Sequence, residues 1–142
     1  MNTPLLPRRI PRQPAVGEKV AFSRTFTEAD MSLFIGVTWD VNPYHTDDNY
    51  AAATRFKRRI VPGLLTASMQ THLGGLWAFL ATEMTFKFTA PVFIGDTITA
   101  QSEVIHVDEK SGRVTLRCRC INATGDEVLT GEVKGHPGRH EA

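Results

Sequence analysis

A short polar run, Asp40-Val-Asn-Pro-Tyr-His45, contains a carboxylate and an imidazole on either side of a predicted turn. The turn is indicated by the Asn42–Pro43 pair, and it can bring the side chains of Asp40 and His45 together. A carboxylate beside an imidazole can activate a water molecule and transfer a proton, because histidine titrates near neutral pH. The same residue types also cap helices and form side-chain turns. The run alone therefore indicates either chemistry or local structure.

A second candidate is Val61-Pro62-Gly63, which directly precedes an apolar stretch. The first residues of a helix present unpaired N–H groups and a partial positive charge. Gly63 has no Cβ, so a ligand could approach its backbone closely. An N–H group in that position can stabilise negative charge that develops on a carbonyl oxygen. The alternative interpretation is an ordinary Pro-Gly helix start without a chemical role.

The elements that must position these residues begin with helices. Short helices are predicted from about Glu28 to Val37 and over DDNYAAATRF, and the Asp40–His45 run connects them. After Gly63, small or apolar residues recur at helical spacing, whereas Thr66 and Gln70 fall elsewhere. The recurring residues are Leu64, Leu65, Ser68, Met69, His72 and Leu73. This pattern predicts a buried helix that ends or kinks at Gly74–Gly75.

Strands make up the rest of the chain. VAFSRTF predicts a first strand, and a period of two predicts strands in EMTFKFTAPV, GDTITAQSEVIHVDE, GRVTLRCRCIN and EVLTGEVKG. In GRVTLRCRCIN, Cys118 and Cys120 alternate with arginines and are expected to face the core. About five strands and one long apolar helix predict an α+β fold with an antiparallel sheet. A helix that is apolar on nearly all sides would need a curved sheet wrapped around it.

Composition limits the possible functions. The chain has 142 residues with 16 basic and 15 acidic side chains, which indicates one domain and no general attraction to nucleic acid. Two cysteines exclude a disulfide framework and, without nearby partners, a zinc site. We therefore expect a reduced, cytoplasmic protein. No apolar run approaches the roughly 18 residues of a membrane helix. Residues 1–17 are expected to form an extended basic arm, 18–136 the domain and 137–142 a tail.

Together the two candidate sites resemble the MaoC-like, (R)-specific enoyl-CoA hydratases. The similar segments are GVTWDVNPYHTDDNYAAATRFKRRIVPGLLTASM, which resembles the family pattern GDxNPxHxDxxxAxxxxFxxxIxHGxL, and FKFTAPVFIGDTITAQSEV. The resemblance extends over about residues 18–135. It implies a hot-dog fold, in which an antiparallel sheet wraps around one long helix, and a homodimer.

The resemblance also implies an activity. Asp40 and His45 would activate water for addition to a trans-2-enoyl-CoA, and the N–H of Gly63 would bind the thioester oxygen. Asn42 would orient the loop. No metal or other cofactor is implied, because coenzyme A is part of the substrate. Further residues expected to contact the substrate are Trp39, Tyr44, Pro62 and Leu64, together with Arg55, Arg58 and Arg59, which could hold the phosphates of coenzyme A.

Three features depart from the family pattern and leave other functions open. Trp39 replaces a common glycine, Pro62 replaces a common histidine, and the segment Leu73–Met84 is short. Pro62 removes one backbone N–H and one side-chain donor from the region of the thioester oxygen. The alternatives are a hot-dog acyl-CoA thioesterase, with water attacking the thioester carbon, and a non-catalytic acyl-CoA-binding protein.

Overall fold

Five antiparallel strands form one sheet in the computed structural model, which describes residues 13–138. The strands are β1 (Lys19–Thr25), β2 (Leu80–Phe88), β3 (Thr97–Val107), β4 (Val114–Ile121) and β5 (Glu127–His136). Their order across the sheet is β1-β3-β4-β5-β2, and every neighbouring pair is antiparallel. The predicted α+β fold with a five-stranded antiparallel sheet is confirmed, and β1 and β2 are its edges.

All the helices of the described chain lie between β1 and β2. They are α1 (Glu28–Thr38), α2 (Pro43–Thr46), α3 (Asp48–Ala53), α4 (Gly63–Ala67) and α5 (Met69–Leu76). Helix α1 begins with a capping box: the Thr27 N–H donates to Asp30 Oδ2 at 2.8 Å, and the Asp30 N–H donates to Thr27 Oγ1 at 3.2 Å. The candidate catalytic loop lies between the end of α1 at Thr38 and the start of α2 at Pro43.

The apolar helix is divided into α4 and α5 at Ser68, and not at Gly74–Gly75 as the sequence predicts. The Ser68 hydroxyl donates to the carbonyl oxygen of Leu65 at 2.6 Å. A serine that bonds to a carbonyl of its own helix often bends that helix. The two glycines lie within α5, which continues to Leu76.

The buried side of this helix differs from the predicted one. Leu65, Met69 and Leu73 are buried as expected, but Thr66 and Gln70 are buried as well. Leu64, Ser68 and His72 are exposed, so their predicted burial is wrong for the single chain. The physical reason is that α5 lies on one face of the sheet, against β1 and β3. The opposite side of the helix has no covering layer among residues 13–138.

The inner face of the sheet supplies most of the core. Cys118 and Cys120 alternate with exposed or half-buried arginines on β4 and are buried free thiols, which confirms their predicted core position. Burial raises the pKa of each thiol to about 11. Ser102 and Gln70 bring polar atoms into this core and satisfy each other, with 2.6 Å between Ser102 Oγ and Gln70 Oε1.

Only part of the predicted terminal segments falls within the structure. Residues 1–12 of the predicted arm and 139–142 of the predicted tail lie outside the described residues. At the end of the arm, Pro14 is fully buried and the Gly17 N–H donates to the Val104 carbonyl at 2.8 Å. Gly17 is thus bonded to β3, whereas Val16 is exposed. None of the helices over residues 13–138 is both long and apolar enough to cross a membrane.

Candidate active site

The loop between α1 and α2 is held by its own polar side chains. The Asn42 N–H donates to Asp40 Oδ1 at 3.1 Å, and the Tyr44 N–H donates to Asn42 Oδ1 at 3.1 Å. Asn42 thereby caps α2, with Pro43 at the first helical position, where its missing N–H costs nothing. One carboxylate oxygen of Asp40 is engaged by the loop, so Oδ2 faces away from it, toward His45.

His45 lies on α2, and its ring is close to the side chain of Asp40. Its Nε2 atom is 3.8 Å from Asp40 Oδ2, and its Nδ1 atom is 2.7 Å from the carbonyl oxygen of Ile60. A carbonyl oxygen only accepts hydrogen bonds, so Nδ1 carries the proton and the neutral ring has its lone pair on Nε2. The Ile60 N–H in turn donates to the Tyr44 carbonyl at 3.1 Å, which fixes the backbone that orients the ring.

One cavity of about 550 Å³ unites the two candidate sites. Asp40 and His45 line it on one side, and Pro62, Gly63 and Leu64 line it at the start of α4. Its remaining wall is largely apolar and comes from α1, the segment before α4, α4 itself, the end of β2 with the residues after it, and β5. These residues are Phe34, Thr38, Arg55, Phe56, Ile60, Val61, Thr66, Phe88, Thr89, Ala90, Pro91, Val92 and Val128.

Gly63 begins α4, and no acceptor within residues 13–138 is bonded to its N–H. The space beside its Cα is not open, however. A Cβ added at Gly63 would lie 2.8 Å from Cε1 of Phe88, whose ring packs against this backbone. The absence of a side chain at Gly63 therefore accommodates Phe88 in this structure. Phe88 is 54% exposed, so its ring has room to turn toward solvent.

Five predicted contact residues lie outside the lining of this cavity: Trp39, Asn42, Tyr44, Arg58 and Arg59. The backbone of Trp39 is left-handed, with φ 57°, at the end of α1, and its side chain is 83% exposed. This conformation favours glycine, which gives a physical reason for the glycine common here in the family pattern. Tyr44 packs edge-on against the rings of Tyr50 and Phe56. Asn42 acts on the loop backbone.

The basic cluster of Arg55, Arg58 and Arg59 divides into three different environments. Arg55 lines the cavity, and its guanidinium lies 4.7 Å from the ring centre of Phe56. Arg58 stacks over Phe93 at 4.0 Å. Arg59 is enclosed: it bonds Asp48 at 2.7 Å and Glu28 at 2.8 Å, and these partners raise the pKa of its guanidinium. Arg59 thus joins α1 to α3.

Sequence reasoning missed Thr66 and Phe88 as cavity residues. Thr66 reads as a packing residue because it falls off the apolar stripe, and Phe88 reads as one of several inward residues of a strand. The spacing of three residues between Gly63 and Thr66 was the available signal, since residues three apart share a helix face. Within the described part of the chain, no cluster of three or more His, Cys, Asp or Glu side chains could hold a metal ion.

Comparisons with known proteins identify relatives over most of the chain. Residues 11–123 match the family described as MaoC like domain. The (R)-specific enoyl-CoA hydratase of Rhodospirillum rubrum is 38% identical over 121 residues, which are 82% of this chain and 83% of that protein. The (R)-specific enoyl-CoA hydratase of Aeromonas caviae is 37% identical over 123 residues, 82% of this chain and 90% of that protein.

The fold matches as well. The solved structure of an (R)-hydratase from A. caviae, involved in PHA biosynthesis, superimposes with a TM-score of 0.85 and 33% identity. The superposition covers 89% of this chain and 99% of that one. A sheet that packs on a central helix, a cavity at the start of that helix, and sequence similarity over most of the chain lead to one conclusion: the chain belongs to the MaoC-like dehydratase family and has its hot-dog fold.

Proposed function

We propose that this protein is an (R)-specific enoyl-CoA hydratase, which adds water to trans-2-enoyl-CoA and removes it in the reverse direction. The observation that carries the proposal is the pair of Asp40 Oδ2 and His45 Nε2, 3.8 Å apart on the wall of an apolar cavity. The relatives named as (R)-specific enoyl-CoA hydratases support the same reaction.

Asp40 and His45 would hold the reacting water between them. The separation of 3.8 Å is too long for a direct hydrogen bond but lets one water molecule donate a hydrogen to each acceptor. The lone pair of the water oxygen is then free to attack C3 of the enoyl group. One proton passes to the Asp40–His45 pair and is returned to C2, so the pair ends the reaction as it began.

The thioester oxygen would lie at the start of α4. As the C3–O bond forms, the electrons of the C2=C3 bond move toward this oxygen and create an enolate. The unbonded N–H of Gly63 is a suitable donor for that charge, since preorganised donors stabilise the transition state more than the substrate. The Phe88 ring beside Gly63 must turn outward to admit the thioester.

The remaining parts of the acyl-CoA would use the cavity rim. Arg55 is the member of the basic cluster that lines the cavity, so we assign the phosphate contact to it first and to Arg58 second. The donors of Arg59 are engaged by Glu28 and Asp48, which argues for a structural role instead. Leu64 and Pro62 would contact the acyl group near the thioester.

We further propose a homodimer in the cytoplasm. The uncovered side of the apolar helix adjoins the edge strand β2, along which Leu80, Met84 and Phe88 are exposed. Leu80 and Met84 share a cleft with Gly75 of α5, and Phe88 lies against Gly63 of α4. The exposed apolar side chains thus form one band along the helix, suited to a second copy of the chain. The free thiols are compatible with a reducing compartment.

The test is to mix the protein with crotonyl-CoA and follow the loss of absorbance of the conjugated thioester. The expected product is 3-hydroxybutyryl-CoA, with the R configuration by chiral analysis of the hydrolysed acid. A protein without turnover on short, medium and branched enoyl-CoAs would exclude hydration.

A thiol reagent in the same reaction separates hydration from thioester hydrolysis. Hydration leaves the thioester intact, whereas a thioesterase releases free coenzyme A. Cys118 and Cys120 contribute little background, because burial raises the pKa of both thiols to about 11 and the thiolate is the reactive form. Stoichiometric thiol release without 3-hydroxyacyl product would replace the hydratase by a thioesterase.

A further inference from the structure

A buried hydroxyl on the cavity wall has no hydrogen-bond partner. Thr66 is 2% exposed, and its Oγ1 atom bonds to no group in residues 13–138. Of the other buried side-chain atoms without a hydrogen bond in residues 13–138, Arg119 Nε lies 3.2 Å from Glu127 Oε2 in an ion pair, and Trp77 does not line the cavity of Asp40 and His45. An unpaired buried hydroxyl costs free energy, and a valine of the same shape would avoid that cost.

Three other hydroxyls on the helices are satisfied in the usual way. Those of Thr38, Ser68 and Thr71 donate to carbonyl oxygens one turn back, at 2.6–2.8 Å. The corresponding carbonyl for Thr66 is that of Pro62, which already accepts from the N–H groups of Leu65 at 3.0 Å and Thr66 at 3.2 Å. The hydroxyl of Thr66 makes no such bond, whereas Thr38, which also lines the cavity, has its hydroxyl bonded to the Phe34 carbonyl.

The position of Thr66 directs it toward the thioester site. A helical side chain lies over the turn that precedes its own Cα, so Thr66 leans toward Gly63, three residues earlier. Threonine adopts two χ1 rotamers in helices, and rotation between them exchanges its methyl and hydroxyl groups on the cavity wall without moving the backbone. The hydroxyl can therefore face the cavity when a ligand arrives.

The residue before Gly63 supplies no hydrogen-bond donor at the start of α4. Pro62 precedes Gly63 and has neither a backbone N–H nor a polar side chain. We propose that the Thr66 hydroxyl donates a hydrogen bond to the thioester oxygen of the substrate, as the second donor beside the Gly63 N–H. This assignment rests on the hydration reaction proposed above. The bond strengthens as negative charge develops on the oxygen, so it contributes mainly to the transition state.

The experiment compares Thr66→Val, Thr66→Ala and Thr66→Ser with the unchanged protein on crotonyl-CoA. Loss of one such donor commonly lowers kcat by about 10²–10³-fold. We expect Thr66→Val and Thr66→Ala to lose kcat on that order with little change in KM, and Thr66→Ser to keep most turnover. Ser68→Ala removes a neighbouring helical hydroxyl that bonds its own helix, and it should keep normal kcat.

A spectroscopic measurement distinguishes a hydrogen bond from a packing role. In an Asp40→Asn background, which holds the substrate unreacted, the C=O stretching frequency of bound crotonyl thioester should rise when Thr66→Val is added. An unchanged frequency, near-normal kcat in Thr66→Val, or equal losses in Thr66→Val and Thr66→Ser would overturn the role of Thr66. If the unchanged protein does not hydrate any enoyl-CoA, the proposed function itself fails and the role of Thr66 with it.

Discussion

Asp40 Oδ2 and His45 Nε2 lie 3.8 Å apart. The other polar atom of each side chain is hydrogen-bonded to the backbone. The Asn42 N–H holds the other oxygen of Asp40, and the Ile60 carbonyl holds Nδ1 of His45. Both groups are left with a free acceptor directed at the same point. This arrangement is suited to positioning one water molecule, which is the requirement for stereospecific hydration.

Replacing either acceptor should abolish most of the activity. We expect Asp40→Asn and His45→Gln each to lower kcat for crotonyl-CoA by about 10²–10⁴-fold, the usual contribution of a general acid or base. Asparagine keeps an oxygen for the Asn42 N–H, so the loop should stay folded, and circular dichroism checks this.

Matched controls for these two variants are Glu109→Gln and His106→Gln. Both residues are exposed and lie away from the cavity. They should keep normal turnover. Normal turnover in Asp40→Asn or His45→Gln would contradict the roles assigned to the pair.

Arg55 and Arg59 should respond differently to removal. Arg55→Ala should raise KM for crotonyl-CoA by about 10–100-fold, because a hydrogen bond to a charged group contributes about 1.5–3 kcal/mol. It should not change KM for crotonyl-pantetheine, which lacks the nucleotide phosphates. Arg59→Ala should instead lower the melting temperature, since it removes the contacts with Glu28 and Asp48. A phosphate-dependent KM effect confined to Arg59→Ala would reverse these assignments.

A charge on the exposed edge strand should separate the proposed dimer. Met84 is half exposed on β2, in the apolar band beside the helix. We expect Met84→Glu to convert a dimer to a monomer in size-exclusion chromatography with light scattering, because burying an unpaired carboxylate is costly. Val37→Glu, on the exposed side of α1, is the control and should leave the dimer intact. If Val37→Glu dissociated the dimer and Met84→Glu did not, the interface would lie on α1 and not on β2.

The capping box of α1 should make stability depend on acid pH. The Thr27 backbone N–H, and after it Arg24, lower the pKa of Asp30 below its usual 3.8. The ionised carboxylate is therefore favoured in the folded state. Its contribution is present above the unfolded pKa and is lost as pH falls through the lower folded value.

Asp30→Asn should accordingly be less stable than the unchanged protein at pH 7 in urea unfolding, and the difference should shrink below about pH 3.8. Glu109→Gln is the control, since this exposed carboxylate makes no hydrogen bond or ion pair within residues 13–138. A difference between Asp30→Asn and the unchanged protein that is the same at pH 3 and pH 7 would exclude the ionised carboxylate as its source.

Local pattern was enough to predict the strands and the loop of Asp40 and His45. The alternation of Cys118 and Cys120 with arginines identifies a strand with one buried face, because successive side chains of a strand point to opposite faces. The Asn42–Pro43 pair begins α2, because proline suits the first helical position. These features depend on neighbours in sequence.

The apolar helix was predicted less well, because its buried side depends on contacts with the sheet and its bend on the bonding of one side chain. Its stripe of Leu65, Met69 and Leu73 is visible in the sequence, but the inclusion of Thr66 and Gln70 in the buried side depends on how α5 lies on the sheet. The position of the bend depends on a hydrogen bond made by Ser68 and not on the two glycines.

The sequence by itself thus determined which residues could do chemistry and the strands that frame them, because spacing and turn residues act over a few positions. Only the tertiary structure decided that Arg59 is enclosed by Glu28 and Asp48, that Phe88 lies against Gly63, and that Thr66 is on the cavity wall. Those relationships join residues from different elements, and the packing of the helices against the sheet sets their distances.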